Sequence, residues 1–104
     1  MCASEPSAPA APTLLLVTLN KVVLEWIPPT SDGGTSILGY RVYMKTASGS
    51  YILVYDGIQN SGTRILELTQ FNSAAFTVST YYAYVVAYNW VGASPNGAPV
   101  TIVI

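Results

Sequence analysis

An antiparallel β-sandwich is the fold class this sequence predicts, on three observations. Extended apolar or alternating stretches recur at about ten-residue spacing, as strands do in small sandwiches. Turn-forming clusters of Gly, Pro, Asn, Asp or Ser separate them. No window shows the apolar period of an amphipathic helix, which rules out parallel βαβ units. A small closed barrel is the alternative compatible with the same signals.

Taken in order, the chain opens on MCASEPSAPAAP, with three prolines among Ala and Ser. Proline fixes φ and carries no donor, so residues 1–11 are expected to be a Pro/Ala-rich linker or cloning edge with no core role. The domain proper is expected over residues 12–104. Cys2 fits either that plain linker or an acylated anchor behind a replaced signal peptide. Thr13 to Thr18 is short and apolar, a first strand. Lys21 to Ile27 alternates, with Val22, Leu24 and Trp26 predicted inward, and Pro28-Pro29 ends it because neither can donate to a ladder. Asp32-Gly33-Gly34 then marks a turn.

Ile37 to Thr46 is predicted as the third strand, with Tyr40, Val42 and Met44 opposed by Arg41, Tyr43 and Lys45. The charges put that second set outside. Ser50 to Asp56 is a fourth strand whose inward face the pattern leaves open. After a Gly57 to Gly62 loop, Thr63 to Thr69 is the fifth strand, with Leu66 and Leu68 expected in the core. Gln70 to Thr80 is uncharged and holds Phe71 and Phe76, so it reads as a corner that packs.

Tyr81 to Tyr88 is the most apolar strand. Tyr81, Ala83, Val85 and Ala87 fall on one side, and Tyr82, Tyr84, Val86 and Tyr88 on the other. A strand apolar on both faces belongs at the centre of a sheet. A loop from Asn89 to Ala98, with Pro95 and Asn96-Gly97, leads to a seventh strand, Pro99 to Ile104. The sum is all-β: a seven-stranded antiparallel β-sandwich of immunoglobulin-like class.

Trp26 with Pro28-Pro29, then Asp32-Gly33-Gly34, then Ile37 to Val42 (ILGYRV) resembles a run of the fibronectin type III domain. Tyr81, Val85, Ala87, Asn89 and Gly92 resemble that family's second run, Y-x-x-x-V-x-A-x-N-x-x-G. The resemblance covers roughly residues 9 to 104. It implies fibronectin type III topology, with Tyr81 as a corner tyrosine whose hydroxyl bonds backbone a few residues upstream. The leucine of that pattern is replaced by Ala75 or Phe76, and the usual proline by Thr77 or Val78. The integrin-binding Arg-Gly-Asp loop of some members is absent, since residues 89–98 read NWVGASPNGA.

Composition narrows the chemistry. At 104 residues the chain is one domain, with charged residues at only 9%. It has no His, and Cys2 is its sole thiol, so the usual general base and a soft-ligand zinc site are both missing. Glu5, Glu25, Asp32, Asp56 and Glu67 come singly, against the convergence that calcium or paired-carboxylate catalysis needs. No catalytic, cofactor or metal residue is assigned, and the chain is not expected to be an enzyme. Lys21, Arg41, Lys45 and Arg64 do not cluster, so no nucleic acid is expected. No run approaches a membrane span, so no membrane insertion is expected.

Surface aromatics remain. Tyr43, Tyr82, Tyr84 and Tyr88 are expected on one outer sheet face, either as cross-strand pairs or as a protein-interaction patch. Trp90 either covers Pro28 and Pro29 or serves as an exposed anchor. The expected partners are another protein or neighbouring domains, with weak self-association through a surface poor in charge. The chain is thus expected to be a non-catalytic structural or protein-interaction module, one repeat excised from a larger surface, secreted or cytoskeletal protein. A recognition module using Trp90 and Asp32 to Gly34, or an accessory domain of an enzyme, are the alternatives. An extracellular or cell-surface setting is favoured over the cytoplasm.

Overall fold

Alternating sequence becomes two facing sheets. A computed structural model describes residues 4–31, 33–34, 36–58, 64–71, 74–76 and 78–104. Its strands are β1 (Thr13–Val17), β2 (Val22–Glu25), β3 (Ile37–Thr46), β4 (Ile52–Ile58) and β5 (Ile65–Leu68). They continue with the short β6 (Gln70–Phe71) and β7 (Ala74–Ala75), then β8 (Thr80–Asn89) and β9 (Val100–Val103). One sheet has the order β1-β2-β5 and the other β4-β3-β8-β9, while β6 and β7 form a two-stranded sheet among the described residues. All the pairings are antiparallel. The all-β sandwich expected from the sequence is what forms, with the corner contributing the extra β6–β7 pair.

The inward residues that alternation named on β2, β3 and β8 are buried, and Ile102 of β9 joins them. Val22, Leu24 and Trp26 meet Tyr40, Val42, Met44, Tyr81, Ala83, Val85, Ala87 and Ile102 in one buried cluster. Trp26 lies edge-on to Tyr40 at 5.9 Å and tilted against Tyr55 at 5.9 Å. Such rings dominate a small core, and truncating one costs about 3–5 kcal/mol. Leu66 and Leu68 pack on the cluster's margin. At the corner Phe76 is buried, and it meets Tyr81 edge-on at 5.5 Å while Phe71 does so at 5.4 Å. Phe76, one of the two residues offered for the leucine position, is thus packed against Tyr81. The hydroxyl bond expected of Tyr81 falls on a stretch whose residues 72, 73 and 77 lie outside the described ones.

Three expectations need correction. First, β4 starts later and runs through Gly57, which pairs with Tyr40 instead of opening a loop. A register shift between Val42 and Tyr43 puts Leu53 opposite Tyr43 but Tyr55 opposite Val42. Such a bulge changes which parity faces inward part-way along the strand, so Val54 and Tyr55 both reach the core. Second, Val86 is buried although it belongs to the outward set of β8.

Third, residues 4–12 are not a free linker. Pro6, Pro9 and Pro12 are all buried. Their spacing of three is the period of a polyproline-type chain, which sets the rings on one side. Ser4 N–H donates to Gly33 O at 2.8 Å and Ser7 N–H to Ser31 O at 2.9 Å. Ser31 N–H returns a bond to Ser7 Oγ at 3.0 Å. Gly33 has φ of 78°, and a Cβ there would run into the Ser4 carbonyl oxygen. The stretch is a strap bound along the 28–36 loop. Cys2 and Asp32 lie outside the described residues.

Asn89 fastens the strap to β8. Its Oδ1 accepts from Val91 N–H at 2.9 Å and Gly92 N–H at 3.0 Å, while Nδ2 donates to Ser4 O at 2.7 Å. Asn89 N–H also donates to Gly92 O at 3.1 Å. The Asn-x-x-Gly spacing is therefore a side-chain-closed turn. Asn89→Ala is expected to lower unfolding stability by about 2 kcal/mol, because partly buried donors and an acceptor lose their partner. Denaturant titration reads the loss, and hydrogen exchange should show the Ser4 and Ser7 amides losing protection first. An unchanged midpoint would remove Asn89 as the fastener.

Candidate functional site

The outer face of β4-β3-β8 carries one continuous run of side-chain contacts. Register builds it: Arg41 pairs with Asp56 and Val86, Tyr43 with Leu53 and Tyr84, and Lys45 with Tyr82. The run begins at Asp56, whose Oδ1 is 3.1 Å from Arg41 Nε. The Arg41 guanidinium lies 4.8 Å above the Tyr88 ring, and its Nη1 donates weakly to the Tyr88 hydroxyl at 3.4 Å. The Tyr88 and Tyr43 hydroxyls are 3.5 Å apart. Tyr43 stacks on Tyr84 at 5.2 Å with 19° between the planes, and Tyr51 meets Tyr84 edge-on at 4.6 Å. Lys45 Nζ ends the run between the rings of Tyr51 and Tyr82, at 5.2 and 5.5 Å.

The structure therefore brings together Tyr43, Tyr82, Tyr84 and Tyr88, all half-buried. Offset-stacked and edge-on rings gain about 0.5–1.5 kcal/mol per pair, and cations over rings a similar amount at exposed sites. Tyr51, Arg41, Lys45 and Asp56 join them. Sequence reasoning left Tyr51 out because the bulge in β4 hides which residues share its face. The missed signal was its place two residues before Leu53, the spacing that shares a strand face, next to the charged end of β3.

Ionisation on this face is shifted in one direction. The bond to Tyr88, with burial behind it, raises the Tyr43 hydroxyl above its ordinary pKa. Burial raises Tyr84, with the neighbouring Tyr51 and Tyr88 adding to it. Arg41 is held charged by Asp56 first and Tyr88 second. In the core, burial raises Tyr40. The arrangement presents a fixed aromatic plate with a cation at each end, the Arg41 end neutralised by Asp56.

Trp90 sits apart from the plate. It is 76% exposed, so it does not cover Pro28 and Pro29, and Val91 beside it is 48% exposed. The turn closed by Asn89 holds both. Elsewhere a cleft of about 340 Å³ lies along Glu25, Trp26, Ile27, Arg64 and Ile65, with one carboxylate and one guanidinium on its wall. Among the described residues no three His, Cys, Asp or Glu side chains converge to hold a metal ion. No helix among them is long and apolar enough to cross a membrane.

No family model matches the chain. Solved structures do resemble it. Domains A168–A170 of titin superpose with a TM-score of 0.81 at 23% identity, over 97% of this chain and 32% of that one. The sixth fibronectin type III domain of human fibronectin type III domain containing protein 3 gives 0.77 at 24% identity, over 99% of this chain and 89% of that one. The chain has the fibronectin type III fold. The twitchin kinase region from C. elegans contains a similar unit, with a TM-score of 0.81 at 23% identity over 97% of this chain. The fibronectin type III-like unit spans only 17% of that twitchin chain and about a third of the titin one.

The raised hydroxyls fix a pH response. A tyrosine whose folded pKa exceeds its unfolded value binds its proton more tightly when folded. Its contribution is complete below about pH 10 and is lost as pH rises through the folded pKa. Unfolding midpoints should hold steady to about pH 10 and then fall. Tyr43→Phe with Tyr84→Phe should flatten that fall. An identical alkaline slope in the double variant would show that neither hydroxyl contributes.

Proposed function

We propose that this chain is a non-catalytic structural and protein-interaction module, one repeat of a larger surface, secreted or cytoskeletal protein. The tyrosine plate is the surface through which it meets a protein partner or a neighbouring domain. The observation that carries this reading is the unbroken run from Asp56 to Tyr82, which fixes eight side chains before any partner arrives. Rings and cations held in place lose little freedom on association, and Tyr and Arg are enriched where interfaces bind tightly. Exposed Leu53 and Val103 widen the apolar rim of the same sheet. The titin and twitchin neighbours, in which a similar unit is a small part of a long chain, support the modular setting.

A second reading, a dedicated recognition loop, is favoured by Trp90 alone. Its large side chain is 76% exposed beside exposed Val91, on a turn that three hydrogen bonds hold in place.

Sedimentation equilibrium of the isolated domain separates the two. Tyr84→Ser with Tyr88→Ser should weaken self-association while the β-rich circular dichroism spectrum persists, at a stability loss of about 1–3 kcal/mol. Unchanged association would return those tyrosines to sheet packing alone. Trp90→Ala should change stability by less than about 0.5 kcal/mol, as an exposed residue does. A larger loss, with association intact, would make Trp90 a packing residue and remove the loop reading.

A further inference from the structure

Asn96-Gly97 is a dipeptide that the proposed function leaves unused. Asn96 is exposed, whereas Gly97 behind it is buried. Gly97 N–H donates to Val85 O at 3.0 Å. A Cβ on Gly97 would lie 2.7 Å from Val85 O and 2.8 Å from Pro9 O, so its backbone is clamped between β8 and the strap. One wall of the clamp is the most apolar strand of the core. The other is a segment held by Ser4, Ser7 and three proline rings.

We propose that Asn96 is a deamidation site whose rate is set by attachment of the strap. The reaction needs the Gly97 amide nitrogen as nucleophile. That nitrogen gives its proton to a water-derived base and bonds to Asn96 Cγ. The bond from Cγ to the side-chain nitrogen breaks, and ammonia leaves with a proton from water. The five-membered imide is then opened by water at either carbonyl, giving aspartate or isoaspartate. Glycine is the residue whose missing side chain lets the nitrogen approach.

In the closed state that approach is blocked. The Gly97 N–H is committed to Val85 O, and its peptide plane has no room to turn between Val85 O and Pro9 O. Lifting the strap removes the Pro9 wall and leaves the Val85 bond as the remaining restraint on the Gly97 amide. Isoaspartate carries an extra backbone carbon at the clamp, so the product no longer fits beneath Pro9. Each release of the strap thus risks a permanent mark that hinders its return.

The test uses the intact chain and a peptide of residues 94–100 at mildly alkaline pH. Deamidation is read by mass spectrometry and the Gly97 amide by hydrogen exchange. The intact chain should react at least about tenfold slower than the peptide, since reactivity scales with the open fraction. Across low urea concentrations, its rate should equal the peptide rate multiplied by the open fraction of Gly97. That opening should match the Ser4 and Ser7 amides and precede Val42. Pro6→Ser, which loosens the strap, should raise exchange at Gly97 and deamidation together. Reaction at the peptide rate would overturn the proposal. So would Gly97 opening only together with Val42, because release would then require global unfolding.

Discussion

The ladder between β3 and β8 sets both faces of the molecule at once. It pairs Ile37 with Asn89 at one end and Thr46 with Tyr81 at the other. Side chains alternate, so a slip of one residue would exchange the two faces along the whole ladder. In the register adopted, Tyr40, Val42 and Met44 join Ala83, Val85 and Ala87 in the core. The same register puts Arg41, Tyr43 and Lys45 beside Val86, Tyr84 and Tyr82 outside. Core and plate are two readings of one alignment. Small residues help, because Ala83 and Ala87 leave room for Met44 and Tyr40 paired beside them and for Trp26 from across the sheet interface.

That dependence explains what could be read from sequence. The β2 pattern alternates without a break, and those of β3 and β8 do so apart from Gly39 and Val86, so the inward residues named by alternation are the buried ones. The outward tyrosines followed for the same reason. β4 resisted because a bulge breaks its parity, and a bulge is fixed by pairing with β3 that a linear pattern does not contain. Val86 looked dispensable by parity, yet the Tyr84 and Tyr88 rings flank it along the strand and Arg41 lies opposite. Burial there comes from large neighbours and not from the core.

The strap was missed for a different reason. Composition rich in Pro and Ala says linker, whereas a spacing of three between the prolines sets their rings on one side. Pro6, Pro9 and Pro12 share one side, and each lacks an N–H that burial would otherwise leave unpaired. Gly33 and Asn89 are its counterparts in the body of the domain. Both belong to the motifs that gave the resemblance, where each could be taken for turn chemistry alone. Here each also does work on a distant segment.

The bond from Asn89 to Ser4 joins groups far apart along the chain. Closing so large a loop is entropically demanding until the intervening strands have condensed. During synthesis the strap and its partners Ser31 and Gly33 are made well before β8, yet the Asn89 fastening does not exist until β8 and its turn have folded. The strap's last fastening must therefore wait for β8 and its turn to leave the ribosome. A segment that settles late and is held at the margin is also among the first to open. The order of assembly and the order of release are the same path run in opposite directions.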